Sequence, residues 1–211
     1  MSQSRLSVRI VLAAALALAA TLPAHAQAGR QLVAGTSDYP GRYPITRADI
    51  DFVSGMITHH AQAIIMVGWA PSHGVSRSVG ILCARIVNAQ TDEIKIFQQW
   101  QKDRAQPITE AKPMPTKMMM NGVEMMMMMP GMLTDEQMKT LEASQGVDFD
   151  RNFLTFMIQH HGGAITMVNT LMGSAGAAQD DAVYKFSSDI FADQSAEIER
   201  MQGMLTTLPS R

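Results

Sequence analysis

The chain has 211 residues, 46% of them hydrophobic, with a formal net charge of −2 and one cysteine. Its 17 basic and 19 acidic residues nearly balance and form no basic block, which argues against a nucleic-acid-binding role. One cysteine excludes an internal disulfide, and Cys83, within the apolar stretch from Val79 to Val87, is expected to be a small buried hydrophobe.

Residues 1–26 read as a signal peptide. Arg5 and Arg9 form a basic start, Ile10 to Leu22 is an apolar run too short for a membrane span, and Ala24-His25-Ala26 fits a small-residue cleavage site. No cysteine directly follows the run, so no lipid anchor is expected, and no other segment is apolar enough to span a bilayer. The expected product is periplasmic or secreted. Removing Arg5 and Arg9 leaves 15 basic against 19 acidic residues, a net charge of −4. Residues 27–45, polar and rich in Gly, Pro and Tyr, read as an N-terminal arm.

The stretch 46–104 reads as a helical hairpin. Thr46, with Asp49 three residues on, predicts a capped helix running to about Trp69, and Pro71-Ser72-His73-Gly74 breaks it. A second helix is predicted from about Ser76 to Arg104, with Ile86, Ile94 and Phe97 on one face. Residues 105–133 form a linker with three prolines between Pro107 and Pro115 and ten methionines between positions 114 and 132. In 134–207, Thr134 and Gln137 predict a capped short helix to about Ala143. Two long helices follow, at about Asp148–Met172 and Gln179–Thr207. Strand signals are almost absent.

The two hairpins are one unit repeated. Met56-Ile57-Thr58-His59-His60-Ala61-Gln62-Ala63-Ile64-Ile65-Met66 returns as Met157-Ile158-Gln159-His160-His161-Gly162-Gly163-Ala164-Ile165-Thr166-Met167, offset by 101 residues. Gln90-Thr91-Asp92-Glu93-Ile94 returns as Gln194-Ser195-Ala196-Glu197-Ile198 at an offset of 104, the difference falling in the turn. Neither hairpin can bury its apolar faces alone, so the predicted fold is all-α, a four-helix bundle made of two hairpins.

At about 100° per residue, Met56, His59, His60, Ala63 and Met66 lie on one side of the first helix, and Met157, His160, His161, Ala164 and Met167 repeat that side on its counterpart. Imidazole nitrogen suits Zn, Cu, Fe and Ni, while thioether sulfur is soft and selects Cu(I). Methionine needs no deprotonation and forms no disulfide, so it suits an oxidising compartment. These eight histidines and methionines are the candidate metal ligands, in one shared site or two. The plainer reading makes the methionines core filler and the histidines hydrogen-bonded core residues. Glu93 and Glu197 are placed to accept a hydrogen bond from a ligand histidine and fix its tautomer, and Gln90 and Gln194 to act similarly. In the linker, Met118, Met119, Met120, Met125, Met126, Met127, Met128, Met129 and Met132 are candidates for a flexible soft-metal capture loop, or for a low-complexity linker packed over an apolar groove.

Other site chemistries lack their residues. The Glu-x-x-His motif of di-iron bundles is missing, since Met56 and Met157 stand three residues before His59 and His160. His-Glu-x-x-His and Gly-rich phosphate loops are also missing.

At these motifs, together with Asp51-Phe52, Met129-Pro130-Gly131-Met132-Leu133, Phe149-Asp150 and Phe153-Leu154, the chain resembles the bacterial secreted family called domain of unknown function 305, over roughly residues 46–206. The resemblance implies a ferritin-like helical bundle, an extracytoplasmic location and, for some members, copper binding or resistance. The linker's methionine run is longer than the usual family pattern. The expectation is a non-enzymatic copper-binding protein, preferring Cu(I) and with zinc or silver as alternatives, that buffers the metal or passes it to an envelope metal-handling protein. The alternative is a metal-free structural or interaction module.

Overall fold

The computed structural model describes residues 44–120 and 123–209, with the backbone alone for 116–120 and 124–126. The expected signal peptide and nearly all of the N-terminal arm lie outside the described residues. The elements are α1 (Arg47–Trp69), α2 (Arg77–Asp103), strands β1 (Thr116–Met120) and β2 (Val123–Met127), α3 (Asp135–Ala143), α4 (Gly146–Met172) and α5 (Asp181–Thr207), with one 3₁₀ turn at Ala70–Ser72. The fold is a helical bundle, as the sequence predicts. No helix among the described residues is long and apolar enough to cross a membrane.

Local chemistry sets the boundaries. Thr46 and Asp49 form a reciprocal capping box at the start of α1, and Thr134 and Gln137 form another at α3. Ser76 and Asp180 cap α2 and α5. In the linker the structure departs from the expected irregular chain: β1 and β2 pair antiparallel, from Thr116 opposite Met127 to Met120 opposite Val123.

The helices pack as two hairpins, α1 with α2 and α4 with α5, joined where α1 meets α4. Met56 and Met167 share one core cluster with Phe97 and Leu171, while Met66 and Met157 share the other with Phe149 and Phe153. That exchange of partners is what an antiparallel crossing of two copies of one helix produces. Cys83 is buried as expected, and burial first, then the Asp150 charge, pushes its thiol up to about 12.

Two buried carboxylates at equivalent repeat positions lock the hairpins together. Asp49 of α1 accepts a hydrogen bond from the Ala178 amide, in the turn of the second hairpin, at 2.7 Å. Asp150 of α4 accepts one from the Ser76 amide, in the turn of the first, at 3.1 Å. Each half therefore caps the other half's turn. A third tie joins the end of α2 to the start of α5: Trp100 Nε1 donates to Asp180 Oδ1 at 3.2 Å, and Arg104 pairs with Asp180 Oδ2. Burial, the largest single effect, acts to raise the Asp180 carboxyl, but the Arg104 and Trp100 donors, the Arg104 charge and the Val183 amide together hold it below its ordinary value.

The end of the linker is a strap through the α1–α4 crossing. Gln62 grips it twice, donating to the Leu133 carbonyl at 3.1 Å and accepting from the Leu133 amide at 2.7 Å. The equivalent position in the second repeat is Gly163, where a Cβ would lie 1.9 Å from the Pro130 oxygen. The strap thus exploits the one repeat position that is Gln in one copy and Gly in the other. Gly131, at φ +76°, makes the turn against the Gly163 backbone.

Candidate metal centre

Two antiparallel copies of one helix bring their equivalent histidines together at the crossing. The rings of His59 and His160 lie 3.8 Å apart between centroids, tilted by 38°. His60 and His161 diverge toward their own hairpin partners, 6.3 Å from His59 and 6.4 Å from His160. The four imidazoles form a sequence of ring neighbours, His60, His59, His160, His161, with no side-chain exposure at any of them. The doubled motif therefore brings its histidines into one cluster of rings at the helix crossing.

A carboxylate stands at each end. His161 Nε2 lies 2.7 Å from Glu197 Oε2 and donates to it, and His60 Nε2 lies 2.7 Å from Glu93 Oε2 at an angle outside hydrogen-bond geometry. His59 Nε2 donates to the Pro130 carbonyl at 3.0 Å, so the strap sets this ring's tautomer. With Nε2 protonated and the ring neutral, Nδ1 of His59 carries the lone pair, and it is buried without a partner among the described residues, as is Nδ1 of His161. Nδ1 of His60 and both nitrogens of His160 are equally without a partner. Natural interiors rarely leave buried nitrogens unpaired, and each such group costs about 1–3 kcal/mol.

Electrostatics keeps the central pair neutral. Burial, reinforced by the charge His60 can carry, lowers His59 to about 3 against the opposing Pro130 hydrogen bond. Burial and then His59 hold His160 well below its ordinary value. Both rings therefore present lone pairs rather than protons across the physiological range, as a metal ligand must.

The candidate thioethers are buried in the two core clusters. Met56, Met66 and Met157 are fully buried and Met167 is nearly so. From the strap, Met129 and Met132 are also buried in the α1–α4 cluster, Met129 beside Met167 against Gly55, where a Cβ would sit 2.6 Å from the Met129 sulfur. These two linker methionines do enter a core, contrary to the expectation of a uniformly flexible capture loop; the small Gly55 makes the room. Met128 is exposed and Met127 half-buried, while Met118, Met119, Met120, Met125 and Met126 belong to the strands, of whose side chains nothing is described. Gln90 and Gln194 are buried with Oε1 unpartnered.

Among the described residues no three His, Cys, Asp or Glu side chains converge as a ready ligand set. An ion at the His59–His160 pair would therefore need a further donor class, and thioether is the other one that the repeats bury. The donors fit a soft ion. Sequence reasoning missed the roles of Gln62, Gly163 and Pro130 and the ties of Asp49 to Ala178 and Asp150 to Ser76, because they depend on long-range contacts that no local pattern encodes.

Fold and site together define an all-helical bundle of two repeated hairpins with paired histidines buried at their crossing. The chain belongs to the DUF305 family, a domain of unknown function, whose family model matches residues 49–205. Comparison with curated proteins gives no match. Among solved structures, a DUF305 protein from Streptomyces coelicolor described as secreted is 26% identical, with a TM-score of 0.64, covering 75% of this chain and 92% of that one. CopM in its Cu(I)-bound form is 26% identical with a TM-score of 0.57, covering 75% of this chain and 95% of CopM. CopM also has Cu(II)-bound and Ag-bound structures, each 27% identical with a TM-score of 0.56.

Proposed function

We propose that this protein is a non-enzymatic, extracytoplasmic copper-binding protein that holds Cu(I) at the His59–His160 crossing, for buffering, delivery or tolerance. The observation that carries the reading is the group of buried imidazole nitrogens at the α1–α4 crossing that find no hydrogen-bond partner among the described residues. A bound cation would satisfy nitrogens that otherwise cost about 1–3 kcal/mol each. His59 Nδ1 and a nitrogen of His160 are the central donors. Met56, Met167 and Met129, in one cluster, are the thioether partners on one side, and Met66 and Met157 those on the other. Glu93 and Glu197 orient the outer histidines and offset the buried positive charge. CopM, similar in fold and sequence, binds Cu(I), Cu(II) and Ag, which supports a soft-metal role. The reading of residues 1–26 as a signal peptide favours a periplasmic or secreted location, and the likeness to a protein described as secreted supports it.

The test is a Cu(I) titration of residues 27–211 against a competing chelator, with zinc and silver in parallel. Wild type should take up Cu(I), and silver as its soft analogue, in preference to zinc. The His59→Ala/His160→Ala double variant should lose at least tenfold in affinity. An unchanged titration of that variant would reject the site.

A further inference from the structure

The methionine run of the linker has no periodicity in sequence, and the pairing of β1 with β2 gives it one. Directly opposed residues of an antiparallel ladder share a face, and successive residues alternate between the two faces. The pairs Thr116–Met127, Met118–Met125 and Met120–Val123 therefore belong to one face, and Lys117–Met126 and Met119–Glu124 to the other. The first face collects Met118, Met120, Met125 and Met127 and no charged residue. The second takes both charges of the strands, Lys117 and Glu124. Met118 and Met125 stand opposite each other, which in such a ladder sets their Cα atoms about 4.5–5.5 Å apart. Met120 and Met127 each follow two residues on, about 6.5–7 Å along their own strands. Val123, at the tip of this face, is 60% exposed, and Met127, at its base, is half-buried, so neither end closes into the core. β1 meets α1, the helix that carries His59 and His60.

We infer that this face of the hairpin is a second soft-metal site, which holds Cu(I) or Ag(I) through the thioethers of Met118, Met120, Met125 and Met127. Thioether sulfur is soft and selects Cu(I), whereas carboxylate and carbonyl oxygens suit hard cations. Methionine has three rotatable bonds, so side chains from neighbouring ladder positions can close on one ion. A two-stranded hairpin is marginal on its own in water, and an ion that bridges β1 to β2 stabilises the paired form. The donors stand on a two-stranded ribbon rather than between packed helices, so binding must order more of them, and this site is the weaker of the two. It does not depend on copper at the histidines.

Cu(I) is the probe, titrated into residues 27–211 against a competing chelator. Wild type should take up two ions per chain, the tighter one at the histidine crossing. His59→Ala/His160→Ala should keep the weaker ion. Met118→Leu/Met125→Leu, which conserves side-chain volume, should keep the tighter ion and lose at least tenfold in affinity for the weaker. Met119→Leu/Met126→Leu, which removes two thioethers from the opposite face, should leave both affinities unchanged. A single ion that the histidine variant retains and Met118→Leu/Met125→Leu loses would uphold the hairpin site and reject the crossing. No Cu(I) bound by the histidine variant, or equal affinities in the two methionine double variants, overturns the assignment.

Discussion

His59 and His160, equivalent residues of the two repeats, meet ring against ring at 3.8 Å in the middle of the bundle, both excluded from solvent. Two imidazoles in this position could have stabilised the core by hydrogen-bonding to each other or to backbone. Only His59 Nε2 makes a well-formed bond of this kind, with Pro130; His160 faces the His59 backbone without hydrogen-bond geometry, and the remaining three nitrogens of the pair have no geometric partner among the described residues.

Under the proposed function, that arrangement trades stability for binding. His160→Leu removes two unpartnered nitrogens and fills the space with carbon, so the metal-free variant should melt several degrees above wild type, about 1 kcal/mol or more in stability. Copper should then raise the melting temperature of wild type more than that of the variant. Calorimetry with and without Cu(I) checks both, and a metal-free variant melting below wild type would contradict the idea that these nitrogens are an uncompensated burden.

Acid should unfold the metal-free protein through the same pair. Above pH 6.5 both rings are neutral folded and unfolded. Below it the unfolded chain takes up protons that folded His59, lowered to about 3, and folded His160, also lowered, refuse. More protons on the unfolded state means stability falls with pH, from about 6.5 down to about 3, by at most ~1.4 kcal/mol per pH unit for each ring. Denaturant melts across this window should show the decline, and His59→Gln/His160→Gln should flatten it. Parallel curves for variant and wild type would remove the pair as its source.

Neighbouring glycines of α4 should respond to alanine with opposite signs. A Cβ at Gly163 meets the Pro130 oxygen at 1.9 Å, and the nearby backbone leaves it no escape. Gly163→Ala should therefore cost more than about 2 kcal/mol or unseat the strap, releasing His59 from Pro130. At Gly162 nothing lies within 4 Å, so Gly162→Ala should gain about 0.5–1 kcal/mol from helix propensity alone. Equal effects at the two positions would mean that the strap does not thread this crossing.

Each reciprocal clamp should fail on its own, Asp49 at the greater cost because it also closes the Thr46 capping box. Asp49→Ala strands the Ala178 amide and Asp150→Ala the Ser76 amide, each buried partner loss costing about 1–3 kcal/mol. Chemical denaturation of both single variants measures this. A large loss at one and none at the other would break the proposed equivalence of the halves.

Much of this was legible in the chain because helices carry their signals locally. The capping pairs at Thr46 and Thr134, the breaker after Trp69 and the doubled His-His phrase place the helices to within a few residues and show that one hairpin occurs twice. The wheel at Met56 also puts His59 and His60 on a buried side, but 100° between neighbours leaves open that one turns to α4 and the other to Glu93. That choice is made by the crossing of the two helices. The linker was least legible: five consecutive methionines have no periodicity, yet Met129 is core because Gly55 gives it room, and β1 pairs with β2 where no strand pattern is written.

The most direct measurement is X-ray absorption spectroscopy at the copper edge of Cu(I)-loaded residues 27–211. A first shell of imidazole nitrogen together with at least one thioether sulfur, with the nitrogen scattering lost in His59→Ala/His160→Ala, is the expected result. A shell of sulfur alone, or a spectrum identical in that variant, would place copper elsewhere in the chain and contradict the assignment of the histidine crossing as its site.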